Sequence, residues 1–164
     1  GLMEFKKHYD GNSPLEQVMP DLVDSHSDRY SGMGLKDLAQ EMHQEMLATK
    51  MLHNMDAAYT LLPDPVSSPR DTYAKLVKGE IEQIAVHDMQ GRTVAVQIVP
   101  YPPGIPLMMP GEKAGADKIA IVDYLLAMEA FDGRFPGFEH DNHGVEIERD
   151  SQGSPIDKVY VVKQ

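Results

Sequence analysis

Hydrophobic positions along the chain recur with two different periods. From Leu35 the apolar residues Leu35, Leu38, Met42 and Met46 return every three to four positions, with Lys36, Asp37, Gln40, Glu41 and Gln44 between them. Side chains so spaced share one helix face. This predicts a long helix from Leu35 to about Met55, or as far as Tyr59, broken by LLPDPVSSP. A second long helix is predicted in GADKIAIVDYLLAMEAFDG. Ile119, Val122 and Leu126, with Ile121, Leu125 and Met128, form an apolar face broad enough that the helix should be well buried. Gly133 is expected to close it.

Two shorter helices carry start signals. In NSPLEQVMP, Ser13 is placed to cap, Pro14 to take the first helical position and Glu16 to complete a capping box; Pro20 then ends or kinks the helix after about two turns. In SSPRDTYAKLVKGE, Ser68 caps, Pro69 follows, Asp71 complements the helix dipole and Gly79 stops the element. Elsewhere the period is two. Ile84 and Val86, the turn DMQG, then Val94, Val96 and Ile98 read as one hairpin. VEIER and KVYVV read as another, joined by DSQGSPID, and RFPGFEHDNHG reads as a loop. Helices and hairpins without β-α-β alternation predict an α+β fold, with helices packed on small antiparallel or mixed sheets. The expected division is a helical segment over 1–66 and an α+β domain over 67–164.

Composition narrows the class. A chain of 164 residues with 41% hydrophobic and 25% charged residues can build a real core. No window approaches the ~18 to 20 apolar residues of a bilayer span. The start, GLMEFKKHYDG, lacks the apolar region of a secretory leader. Cysteine is absent, which removes disulfides and thiol chemistry and fits a reducing, cytoplasmic setting. The net charge of −11 argues against nucleic acid as partner. It fits a solvated acidic surface able to concentrate cations.

Side chains able to carry chemistry are sparse. Met42, His43, Met46, Met51, His53 and Met55 suit a soft metal. However, Met42 and Met46 belong to the apolar stripe, and His43 and His53 fall on different faces of a continuous helix, so core packing is the better reading. Glu139, His140, Asp141 and His143 could bind zinc or act as acid and base. No distant pair completes that set, and a turn held by Asp, Asn and Gly is the competing reading. Phosphate-loop, dinucleotide and G-x-S-x-G motifs do not occur. Spacing alone thus identifies no self-contained active site.

The stretch VPYPPGIPLMMPGE, Val99 to Glu112, holds five of the twelve prolines and is nevertheless apolar. Proline fixes φ and lacks a donor, so this is neither a central strand nor a helix interior. The run resembles the signature of the carboxy-terminal domain of the bacterial ornithine/lysine/arginine decarboxylases, PLP-dependent enzymes of the aspartate-aminotransferase fold type. YAKLVKGEIEQI, GRTVAVQIVPYPPGIP, the buried helix after PGE, and RFPGFEHDNHG are similar to that family in order and spacing. SHSDRYSGMGLKDLAQEMH resembles the segment just upstream.

The resemblance implies a parent enzyme that converts a basic amino acid to a diamine or agmatine plus CO2 with pyridoxal 5'-phosphate. It also implies a cytoplasmic homo-oligomer, dimeric or larger. The family's cofactor lysine stands in a Ser-x-His-Lys context that this chain does not contain. The implied object is therefore a C-terminal piece without its upstream PLP-binding domain. No catalytic, cofactor-binding or metal-binding residue and no bound PLP are expected on it. Tyr101, Pro102, Pro103, Gly104 and Ile105 are expected to meet the catalytic domain beside the active-site entrance; the competing reading is a bend packed in the domain's own core. Glu112 is expected either to help position a cationic substrate or to cap the next helix. An apolar face left uncovered would make the piece self-associate. Two other classes stay open: a stand-alone acidic module binding polyamines or a protein, and a small metal-dependent hydrolase using His140 and His143.

Overall fold

The computed structural model of the protein describes residues 1–101, 104–151 and 153–164. The chain begins with α1 (Leu2–Asp10), followed by three short helices, α2 (Leu15–Val18), α3 (Pro20–Ser25) and α4 (Ser27–Tyr30). The predicted capping box around Ser13 does not form. Pro14 is the N-cap of α2, Ser13 Oγ lies 3.0 Å from His8 Nδ1, and the Glu16 carboxylate accepts the Gly32 N–H at 2.7 Å. That bond holds the Glu16 carboxyl below its ordinary range. The reason is tertiary. Pro14 bridges to Gly34, and the Leu15 and Leu35 amides donate to Met33 and Ser13, so this stretch is tied across to residues 33–35. Pro20 opens α3 at its first turn, where the missing N–H costs nothing.

The long helix predicted from Leu35 is two helices, α5 (Leu35–Ala48) and α6 (Met51–Thr60). Lys50 adopts the left-handed conformation, with φ 54°. Thr49 Oγ1 turns back to donate to the Glu45 carbonyl. The break re-aims the chain so that Met51 and Ala58 enter the core. After β1 (Asp64–Pro65), helix α7 (Pro69–Val77) follows its sequence signals. The Asp71 N–H donates to Ser68 Oγ at 3.1 Å, and Gly79 follows with φ +72°.

The remaining elements are β2 (Ile81–Ala85), β3 (Val99–Tyr101), β4 (Glu112–Lys113), α8 (Ile119–Arg134), β5 (Asp141–His143), β6 (Val145–Arg149) and β7 (Pro155–Val162). The predicted hairpin of residues 84–98 is replaced by a long-range pairing. β2 runs antiparallel to β7, from Ile81↔Val162 to Ala85↔Lys158. Residues 86–88 form a 3-10 turn, while Val94 and Ile98 make isolated bridges to Val161 and Met108. An alternating apolar pattern states which face is buried, not which strand lies beside it. The second predicted hairpin does form, as β6–β7, giving the sheet order β2-β7-β6. Two small antiparallel pairs, β1–β4 and β3–β5, complete an α+β fold.

Helix α8 is the centre of the core. Ile121, Val122, Leu125 and Met128 are buried, as are Tyr124, Ala127 and Phe131. Full burial of an Ile, Leu or Met side chain is worth about 1.5 to 3 kcal/mol. α8 packs against α5, α6 and β7. Gly133 does not close it: the helix runs to Arg134. A Cβ on Gly133 would stand 3.1 Å from the Pro155 ring, so the glycine serves close approach of helix and strand. One buried cluster links Leu15 and Tyr30 with α8 and with Val159 and Val161 of β7.

Candidate functional site

The proline loop leaves β3 at Tyr101 and returns at β4. Its base is fastened from both sides. Ile98 N–H donates to the Met108 carbonyl at 2.9 Å, and Leu107 N–H donates back to the Ile98 carbonyl at 2.8 Å. Leu107 and Met108 are 4% and 1% exposed, and Pro100 is buried. The bend therefore does pack into the domain's own core, as far as its base is concerned.

The tip is different. Gly104 has φ +80°, and its N–H donates to the Pro100 carbonyl at 3.0 Å. A Cβ there would stand 3.0 Å from the Tyr101 ring, which lies across the glycine. The Tyr59 hydroxyl of α6 donates to the Ile105 carbonyl at 3.2 Å. Tyr101 and Ile105 are nonetheless 56% and 54% exposed, and Met109 is also exposed. Pro102 and Pro103 lie outside the described residues. An apolar tip is thus held out on an anchored base.

Glu112 does not cap the next helix. It lies in β4 opposite Pro65, and its Oε2 accepts the Met109 N–H at 2.7 Å, closing the turn of its own loop. The N-cap of α8 is Lys118.

The acidic and histidine cluster after α8 does not converge. His140 Nδ1 lies 2.5 Å from Asp132 Oδ1, and the His140 N–H reaches both Asp132 oxygens at 3.1 Å. Glu139 Oε2 instead accepts the Gly137 N–H, while Asp141 and His143 sit exposed 3.4 Å apart. Among the described residues no group of three or more His, Cys, Asp or Glu is placed to hold a metal. The break at Lys50 does bring His43 and His53 to one recess with Met46, Leu47 and Leu52, unlike the separate faces expected of one helix.

Asp132 and Asp157 were missed by sequence reasoning. Both are buried. The Asp157 N–H donates to Glu129 Oε2 at 2.5 Å, but Asp157 Oδ1 has no hydrogen-bond partner among the described residues. Burial pushes the Asp157 carboxyl up to about 7, with Glu129 and Asp132 adding to the rise and His140 opposing it. The signal was present in IDKVYVV. Asp157 occupies an inward position of the alternation that continues with Val159 and Val161.

The fold and loop define an α+β domain organised around one buried helix, presenting a braced apolar tip. The family model "Orn/Lys/Arg decarboxylase, C-terminal domain" matches residues 52–163. The chain belongs to that family. The lysine decarboxylase LdcA of Pseudomonas aeruginosa is 41% identical over 162 residues, which cover 99% of this chain and 21% of that protein. The biodegradative arginine decarboxylase of Escherichia coli is 39% identical, over 89% of this chain and 19% of its own length. Among solved structures, lysine decarboxylase A from Pseudomonas aeruginosa superposes with a TM-score of 0.90 at 40% identity, over 99% of this chain and 22% of that one. The chain spans about a fifth of the length of the curated relatives it matches.

The residues present do not fit a PLP site. No Ser-x-His-Lys occurs. Two of the half-buried lysines are paired with carboxylates, Lys118 with Asp64 and Lys158 with Glu148. No helix is long and apolar enough to cross a membrane among the described residues.

Proposed function

We propose that this chain is the C-terminal domain of a PLP-dependent decarboxylase that converts ornithine, lysine or arginine to a diamine or agmatine plus CO2. The domain supplies no reacting group. The upstream part of the enzyme binds the cofactor. This domain shapes the active-site entrance and contributes to subunit contacts within a cytoplasmic homo-oligomer. Support for the substrate class comes from relatives named as lysine, arginine and ornithine decarboxylases.

The single observation that carries the domain's role is the proline loop, with a buried base and an exposed Tyr101 and Ile105. A loop fixed before docking loses little conformational freedom on contact. Tyr101, Pro102, Pro103, Gly104 and Ile105 form the surface that meets the catalytic domain. Glu112 contributes by holding the return turn. The test is Tyr101→Ala in the enzyme that carries this chain. The expected result is a fall in kcat/KM for the basic amino acid of about tenfold, or ~1.4 kcal/mol, with an unchanged unfolding midpoint. An unchanged kcat/KM would contradict the assignment.

A further inference from the structure

The contact between α8 and β7 contains three carboxylates and little to balance them. Glu129 and Asp132 face it from α8, and His140 from the loop that follows. Across the sheet, Asp157 of β7 stands opposite the apolar Ile147 of β6; the flanking Glu146 and Glu148 engage Gln83 and Lys158. The register of β2 with β7 stops at Lys158 and adds no group. Among the described residues, no lysine or arginine forms an ion pair with Glu129, Asp132 or Asp157, and His140 is the one cationic candidate in contact. Asp157 is 1% exposed, and its Oδ1 has no hydrogen-bond partner among the described residues. An ionised carboxylate in such a place is costly, and the inexpensive remedy is to take up a proton. The protonated form is also a donor, with the carboxylates of α8 as acceptors nearby.

We propose that Asp157, enclosed between α8 and β7 beside other carboxylates, takes up a proton in the folded protein, so that the α8–β7 contact is a pH-sensitive joint, firm in mild acid and looser in alkali. Burial and the neighbouring carboxylates raise Asp157 from 3.8 to about 7. Below 3.8 the group is protonated in both folded and unfolded chains, and no penalty exists. Between the two values only the unfolded chain ionises, so stability falls as pH rises; above about 7 the loss is complete. The full loss is about a thousandfold in the folding equilibrium. This is opposite in sign to ordinary acid denaturation.

The joint also touches the proline loop. Asp132 holds His140, the next residue Asp141 begins β5, and Asp141 is the register partner of Tyr101. An effect of pH on the loop tip would rest on the function proposed for that tip. The stability effect does not, so the two fail separately.

The experiment is urea unfolding of the protein at about pH 5 and about pH 8, for wild type and Asp157→Asn. The wild type is expected to lose about a hundredfold in its folding equilibrium between those conditions. The amide variant keeps the shape without the charge, so it should lose far less. Repulsion from the net charge of −11 is common to both backgrounds to within one charge and cancels in the comparison. Identical pH profiles for the two proteins would overturn the proposal. Should the variant fail to fold, the wild type labelled with 13C at aspartate Cγ gives the same answer. One aspartate titrating near neutrality is expected, and all aspartates titrating below about pH 5 overturns it.

Discussion

Replacement of Gly111 by alanine tests what the last glycine of the proline loop does. Gly111 has φ +91°, and an added Cβ would stand 2.2 Å from the Ser67 carbonyl oxygen, 2.8 Å from Thr72 Oγ1 and 2.9 Å from the Ser67 carbonyl carbon. The nearest obstacle is backbone, so no rotamer change relieves it. Relief requires residues 66–67 to withdraw, and those residues donate to the Gly111 carbonyl at 2.9 and 3.0 Å. Gly111 N–H in turn donates to the Val94 carbonyl at 2.9 Å. A left-handed conformation costs an L-residue about 1 to 2 kcal/mol. Three weakened hydrogen bonds at ~1 kcal/mol net each bring the loss to about 4 to 5 kcal/mol, a large part of the ~5 to 15 kcal/mol that holds a typical domain folded. Gly91→Ala is the control. Gly91 also has positive φ, +75°, but a Cβ there meets nothing within 4 Å. It should lose only the conformational part, about 1 to 2 kcal/mol. Urea unfolding with linear extrapolation reads both losses, provided the slope m is unchanged. A Gly111→Ala loss no greater than that of Gly91→Ala would refute the steric argument.

Two further substitutions probe the joints around the core. Ser68→Ala removes the side-chain acceptor for the Asp71 N–H and should cost about 1 kcal/mol by urea unfolding; no measurable loss would show that α7 starts without this cap. Arg29→Lys should cost about 1 to 2 kcal/mol in the same assay, because Arg29 donates to the Arg134 carbonyl, pairs with Glu41 at 2.7 Å and lies 5.2 and 5.3 Å from the Tyr30 and Phe135 ring centroids. A lysine variant as stable as wild type would mean that the planar fork is not what the site uses.

Local signals were legible where local physics decides. Ser68, Pro69, Asp71 and Gly79 frame α7 within one segment, and the breadth of apolar positions in α8 announces burial from every direction. The signals failed where a distant partner decides. Ser13 reads as a cap, but Pro14 is taken by Gly34. Val94 and Ile98 read as a strand beside Ile84, but β7 occupies that edge. Nothing in ATKMLH marks Lys50 as left-handed, because lysine has no preference for that conformation. At the candidate site, the apolar proline run identified the loop, and its composition alone could not divide buried Leu107 and Met108 from exposed Ile105 and Met109. That division is set by the reciprocal bonds between Ile98 and residues 107–108. For Asp157 the alternation with Val159 and Val161 marks an inward position, but a carboxylate contradicts the apolar pattern there, and the packed α8 is what shows that it is enclosed.

Hydroxyl-radical footprinting of the loop, in this chain alone and in the enzyme that carries it, tests the docking role most directly. Met108 is buried and serves as the unlabelled reference in both states. Tyr101 and Met109, both exposed here, are expected to be labelled in the chain alone and protected in the enzyme. Equal labelling of Tyr101 in both would place the tip in solvent throughout and contradict its role at the entrance.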